Sequence, residues 1–303
     1  VTGGMATAVK SCANGATPQR ATRDDVTVVC VTYESGRLIE PLCTTLAYFK
    51  HVIIVDNASK DRCPEAFARR LPHAKIVRNA DNKGFGTANN QAIALVQTPY
   101  ALLLNPDCEI EPAALDALLA TAAAYPDSAI VAPQGWRTAK NPQPSYRHAF
   151  YEHRSKQAYQ IPDATCSAKW LHGCCLLVKV DAFKNFGGFD ERFFLFYEDD
   201  DLCLRALAAG YDCLLEPKSH VLHVGGASST PSLRNDFFKQ FHFFRSRRLI
   251  IGKYLGKPAA WRYGIKTAVA APVAVLLYII LLRRKHALKW LAWGCSSWLK
   301  PLP

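Results

Sequence analysis

Short, almost unbroken apolar runs alternate along this chain with longer stretches of helical spacing. Val26–Thr32, His51–Asp56, Lys75–Asn79, Tyr100–Asn105 and Ser128–Pro133 read as strands. Between them, about Leu38–Phe49, Pro64–Leu71, Thr87–Val96 and Pro112–Tyr125 read as helices. Strands alternating with helices predict an α/β fold with a mostly parallel sheet and crossover helices. The continuous apolar character of the runs predicts burial on both faces. Gln134–Thr165 breaks the rhythm: it is polar, carries Pro142, Pro144 and Pro162, and is expected to run as a long surface excursion that could receive an acceptor. A strand at Cys174–Lys179, a helix from near Asp200 to Gly210 and a strand at Tyr211–Leu215 follow.

From Asp236 the pattern changes again. Phe237, Phe238, Phe241, Phe243 and Phe244 are interleaved with Lys239, Arg245, Arg247 and Arg248. Thr267–Leu282 is then free of charge, contains Pro272, and as a helix would span about 24 Å, short of the roughly 30 Å hydrocarbon core of a bilayer. An interfacial or re-entrant helix is favoured over a spanning one, and a buried helix of a soluble domain is the third reading. Trp290, Trp293 and Trp298 beside Lys289 and Lys300 suit an interface. At the other end, residues 1–23 are rich in Ala, Thr and Gly without periodicity and read as a flexible leader.

Charge sharpens this division. The net charge is +12, yet residues 231–303 hold 14 Lys and Arg against one acid, Asp236, while the other 230 residues hold 23 against 24 acids. A basic, apolar tail points to an anionic membrane surface. Nucleic acid is the competing partner, but the uncharged run serves a membrane and not a polyanion. The eleven cysteines include no C-x-x-C pair, so spacing gives no structural zinc site, and reduced thiols acting as small hydrophobes are expected.

Polar clusters sit where strands end, the edge at which open α/β sheets bind ligands. They are Thr32-Tyr33-Glu34-Ser35, Asp56-Asn57-Ala58-Ser59 and Asn105-Pro106-Asp107. Any one carboxylate there is more often a turn former, but three on one rim are harder to dismiss. Asn82-Lys83-Gly84-Phe85-Gly86-Thr87 opens a helix with two glycines that let backbone approach a ligand, although a simple turn explains it equally well. Glu198-Asp199-Asp200-Asp201 follows five apolar or aromatic residues. Such acids suit a helix N-terminus, where Asp200 or Asp201 is expected to cap, but capping needs one or two acids and not four. A carboxylate crowded against aromatic surface can serve as a general base. Two histidines precede a Gly-Gly turn in Ser219–Ser229, and His223 could share a metal with Asp107.

In order, VTYES, VDNASKD, NKGFGTANN, LLLNPD, GGFDERFFLFYEDDDLCLR and HVGGAS resemble the motifs of glycosyltransferase family 2, more closely its rhamnosyltransferase-like bacterial branch, over about Val26–Ser229. The resemblance implies a GT-A fold, with a nucleotide-sugar-binding half at residues 24–133 and an acceptor and catalytic half at 134–230; the basic, aromatic and apolar composition adds a helical membrane-associating tail at 231–303. The resemblance also implies that Thr32, Tyr33, Glu34 and Asp56 line the nucleoside pocket, and that Asn82, Gly84, Asn90 and Asn105 flank the donor. Asp107 and His223 would hold Mg2+ or Mn2+, and of the acidic pair Glu198-Asp199 the second would be the base. Asn105 stands where the family's first metal-motif acid is usual, and Glu34 where Asn is common in this branch. The implied reaction is inverting transfer of a sugar, L-rhamnose from dTDP-rhamnose by branch, from a nucleotide diphosphate donor to a hydroxyl of a cell-surface glycan or lipid-linked acceptor. The implied location is cytoplasmic, peripheral on the inner face of the plasma membrane. The alternative is a nucleotide-sugar-binding, membrane-associated scaffold without catalysis, against which Asp107, Glu198 and Asp199 argue.

Overall fold

The computed structural model describes residues 7–8, 21–152, 158–225 and 232–298, so most of the expected leader lies outside the described residues. The first half runs β1 (Thr7–Ala8), β2 (Val26–Thr32), α1 (Ile39–Leu46), β3 (His51–Asp56), α2 (Cys63–Arg70), β4 (Lys75–Arg78), α3 (Phe85–Ile93), β5 (Tyr100–Leu104), β6 (Cys108–Ile110) and α4 (Pro112–Ala124). The second half runs β7 (Ser128–Thr138), β8 (Asn141–Pro142), β9 (Tyr146–Arg147), β10 (Cys166–Ser167), β11 (Trp170–Leu171), β12 (Cys175–Lys179), α5 (Val180–Asn185), α6 (Glu198–Ala208) and β13 (Asp212–His223). Three helices follow: α7 (Leu233–Leu255), α8 (Lys257–Ile280) and α9 (Arg284–Ser297).

One curled sheet carries the fold, in the order β1-β10-β13-β7-β12-β5-β2-β3-β4. The block β4-β3-β2-β5 is parallel, β7 and β13 are parallel to each other, and β12 runs antiparallel to both of its neighbours, β5 and β7. Both faces are covered. Along β2, Val29 and Val31 belong to the core shared with Ala88, Ala92 and Leu202, whereas Val28 and Cys30 belong to the opposite core with Leu42, Phe67 and Leu118. This two-residue alternation within an all-apolar strand explains why the runs are continuous.

Gln134–Thr165, of which 153–157 lie outside the described residues, is only in part the surface excursion its polarity predicts: 137–141 are exposed, but other positions turn inward. β7 runs on to Thr138, and Gln134, Gln143 and Ser145 are buried. They satisfy one another: Gln134 Nε2 donates to the Gln143 carbonyl at 2.9 Å, Gly135 N donates to Ser145 Oγ at 2.7 Å, and Tyr159 OH donates to Gln134 Oε1 at 2.6 Å. Paired polar groups of this kind can be buried at little cost. The charge-free run is likewise part of a longer element. α8 begins at Lys257, has 24 residues and passes through Pro272 without ending. Its length, about 36 Å, exceeds a hydrocarbon core. Among the described residues it is the one helix long and apolar enough to cross a membrane by length and composition. It is not a buried core helix, since Val269 and Val273 are each 71% exposed and Ile280 is 68% exposed.

Candidate active site

The C-terminal ends of β2, β3 and β5 form one rim. Thr32 and Asp56 are register partners, and the buried Asp56 carboxylate accepts from Ser59 N at 3.0 Å, Thr32 Oγ1 at 3.4 Å and Cys63 Sγ at 3.6 Å. Tyr33 stands 44% exposed beside it. Glu34, with φ 52°, ties the two strand ends together: its N donates to Ser59 Oγ at 2.9 Å and its Oε1 accepts from Lys60 N at 3.1 Å.

Asn57, just past β3 in the second strand-end cluster, anchors the glycine loop. Its Nδ2 donates to Asn82 Oδ1 at 2.9 Å and to the Gly84 carbonyl at 3.1 Å, and its Oδ1 accepts from Asn79 Nδ2 and Lys83 N. Gly84 has φ 86°, and a Cβ there would lie 2.4 Å from the Phe194 carbonyl oxygen. Phe85 N donates to that same carbonyl at 3.1 Å. The loop before α3 is therefore seated on the segment that leads into the four acids. Gly84→Ala meets a backbone atom that cannot swing away and a left-handed φ. It should cost about 2 kcal/mol or more, read as a fall in melting temperature of roughly 5 °C or more; an unchanged melting temperature would refute this seating. Asn90, expected beside the donor, clamps Phe189 instead: Nδ2 donates to the Phe189 carbonyl and Oδ1 accepts from Phe189 N, each at 2.9 Å.

The four acids divide by partner. Tyr197, with φ 66°, precedes α6, and neither Asp200 nor Asp201 caps it. Asp200 takes both of its short contacts, 2.7 Å each, from Arg147 Nη2, whose guanidinium lies over the Trp170 ring. Asp201 is fully buried among Arg205 Nε at 2.7 Å, Tyr254 OH at 3.0 Å and Lys253 Nζ at 2.6 Å. Burial, with the negative charges of Asp199 and Asp200, pushes the Glu198 carboxyl well above the usual range. That leaves Asp199, partly exposed and held by backbone alone: Oδ2 accepts from Gly173 N at 3.2 Å and Oδ1 from Asp200 N at 2.9 Å.

Gly173 belongs to the segment that links the two acid clusters. Beside it, the His172 ring meets His223 edge-on at 5.3 Å, and His223 Nε2 lies 3.4 Å from Asp107 Oδ1. Gln143, which no motif marks, bridges the imidazoles: His223 Nδ1 donates to its Oε1 at 3.0 Å, and its Nε2 lies 2.6 Å from His172 Nε2. Burial alone would lower the His223 pKa, but contacts with Asp107 and Cys174 outweigh it and raise it to about 10. A cation taking Nε2 must therefore displace a proton, more easily as pH rises toward that value. The donor set fits a divalent ion. Asp107 Oδ1 and Asn105 Oδ1 are buried without a hydrogen-bond partner, and Asp107 Oδ1 faces the His223 imidazole at 3.4 Å.

The α7 helix belongs to this site as much as to the tail. Phe194 stacks on His242 at 4.3 Å, Ser246 Oγ donates to the Leu195 carbonyl at 2.8 Å, Tyr197 packs on Phe243, and Phe193 is buried with Leu249 and Ile250.

Two curated relatives and one solved structure are similar to this chain. The N-acetylglucosaminyl-diphospho-decaprenol L-rhamnosyltransferase of Mycobacterium tuberculosis is 31% identical over 233 residues, 66% of this chain and 76% of that one. The pre-mycofactocin glycosyltransferase of the same species is 28% identical over 68% of this chain and 44% of its own length. A mannosyltransferase of Pyrobaculum calidifontis, solved with GDP-Man and Mn2+, superposes with a TM-score of 0.56 at 18% identity, covering 92% of this chain and 86% of that one, and shares the GT-A fold. The family model described as glycosyl transferase family 2 matches residues 27–187, and with the ordered strand-end motifs on a single rim the chain belongs to glycosyl transferase family 2.

Proposed function

We propose that this glycosyltransferase moves L-rhamnose from dTDP-rhamnose, with inversion, to a hydroxyl of a lipid-linked or cell-surface glycan. The observation that carries the reading is the convergence of Asp199 with the Asp107–His223 pair across Gly173 and His172. Thr32, Tyr33, Glu34 and Asp56 would form the nucleoside side, with Asn82 and Gly84 setting the loop beside it. Asp107 and His223, with Asn105 nearby, would hold Mg2+ or Mn2+, which when bound neutralises charge on the leaving diphosphate. Asp199 takes the proton of the acceptor hydroxyl as that oxygen attacks the anomeric carbon. The name of the mycobacterial relative supports both the sugar and a lipid-linked acceptor.

The exposed stripe Trp261, Ile265, Val269, Val273, Leu276 and Ile280, bordered by Lys257, Lys266, Arg283 and Arg284, would rest on the anionic inner face of the plasma membrane, bringing the rim to its acceptor. A thermal-shift panel of dTDP-, UDP- and GDP-sugars with Mg2+ or Mn2+, followed by product analysis, tests the donor. dTDP-rhamnose should give the largest metal-dependent shift and be turned over. A larger shift and faster turnover with a UDP- or GDP-sugar would replace this donor assignment.

A further inference from the structure

Cys108 Sγ, Cys174 Sγ and a ring nitrogen of His223 lie within 4.8 Å of one another, the one such group of three among the described residues. They come from separate elements. Cys108 opens β6 and is the register partner of His223 in β13, while Cys174 precedes β12 with its carbonyl bound by Asn105 N at 2.8 Å. Both thiols are buried and free of disulfides. His223 Nδ1 is engaged by Gln143, which leaves Nε2 to face Asp107 Oδ1, a buried oxygen with no hydrogen-bond donor. Two sulfurs, one imidazole and one carboxylate oxygen make a borderline-soft set of tetrahedral size, unlike the all-oxygen shell that Mg2+ prefers.

We propose that Cys108, Cys174, His223 and Asp107 form a zinc site, and that zinc held there withdraws His223 and Asp107 from the catalytic cation and stops transfer. A tetrahedral site with Zn–S near 2.3 Å sets its ligand atoms about 3.7 Å apart, so movements of about 1 Å bring the two sulfurs and the imidazole to ligand spacing, and the Asp107 carboxylate, 3.4 Å from His223 Nε2, would turn in to complete the set. On binding, the thiols give up their protons to solvent and ligate as thiolates. The sequence hides this site because its donors are 66 and 49 residues apart, with none of the short spacings that mark zinc motifs. Other buried cysteines, such as Cys30, Cys43 and Cys213, have no comparable neighbours and act as small hydrophobes.

The inhibitory half rests on the proposed catalytic role of Asp107 and His223, and the binding half does not. The metal-free full chain, titrated with Co2+ as a probe, should develop a thiolate-to-cobalt charge-transfer band that saturates at a single equivalent and is bleached by Zn2+. Cys108→Ala and Cys174→Ala should each lose the band while keeping the parental circular dichroism, and Cys108→Ala should also keep the transfer rate in Mg2+. Micromolar Zn2+ should slow the parent at least about tenfold, given the stronger affinity of zinc for such ligands, and leave both variants unaffected. If an alanine variant fails to fold, Cys108→Ser and Cys174→Ser, which keep the size but replace sulfur with a hard oxygen, carry the same reading. No charge-transfer band in the parent, or a band that survives in both variants, overturns the site. A normal band with undiminished transfer in Zn2+ overturns the inhibitory half, and activity surviving in a chelator would instead locate the failure in the catalytic-metal assignment.

Discussion

Replacing Asp199 with Asn should lower kcat by about 10²–10⁴-fold, the usual worth of a positioned general base, while donor affinity stays at the parental level. The substitution is nearly isosteric, and an amide oxygen can still accept from Gly173 N or Asp200 N, which hold the side chain now. What disappears is the capacity to take a proton. The neighbouring acids cannot supply it. Asp200 is held by Arg147, Asp201 by Arg205 and Lys253, and Glu198 is buried away from an incoming hydroxyl. Steady-state kinetics together with calorimetric donor titration measure the two quantities separately. Transfer near the parental rate would show that another group serves as base.

Truncation before α7, removing residues 233–303, should abolish transfer by at least about 100-fold even toward a water-soluble acceptor in detergent. If the tail were an anchor alone, such an assay would spare activity. The contacts argue otherwise. Truncation removes Lys253 and Tyr254 from the fully buried Asp201, leaving it Arg205 alone, and each lost hydrogen bond to that charged group costs about 1.5–3 kcal/mol. It also uncovers Phe193 and Phe194, at about 1.5–3 kcal/mol for each large apolar side chain returned to water. Phe196 and Tyr197 are held at positive φ immediately before the acids, a conformation costing about 1–3 kcal/mol each that persists only while its surroundings enforce it. Since every 1.4 kcal/mol is a factor of ten, the acid-bearing turn should rarely be formed without α7. Full activity of the truncated chain on a soluble acceptor would reduce α7 to an attachment device.

The elements were legible where local pattern decides them. The bounds of β2 and β3 coincide with their apolar runs, because strands buried on both faces leave no polar residue to blur their ends. The rim of Thr32, Asp56 and Asp107 followed from strand-end position, and the acids of 198–201 from their improbability as core. What stayed hidden depends on partners far along the chain. Gln143 reads as loop polarity until His172 and His223 are seen on either side of it, and Asn90 reads as a ligand residue until Phe189 occupies both ends of its amide. The aromatic–basic alternation of α7 suggested a membrane, while much of it turned out to serve Phe194, Tyr197, Asp190 and Asp201. The expected caps failed for a related reason: Asp200 and Asp201 found cations from distant elements, a better use of a buried carboxylate than a terminal N–H.

The reversed direction of β12 has a geometric consequence. Its five residues span about 17 Å. Had the strand pointed the same way as β5, the stretch Trp170–Cys174 at its start would emerge on the far side of the sheet, that whole length from Asp107. Inverting a single strand brings the polypeptide back to where its earlier loops exit, so the backbone N–H that grips Asp199 and the imidazole neighbouring the Asp107–His223 pair are delivered by consecutive residues. The Asp199 carboxylate and the Asp107–His223 pair are thereby gauged against each other by a few rigid peptide units, and lengthening the stretch ahead of Trp170 would leave that spacing untouched.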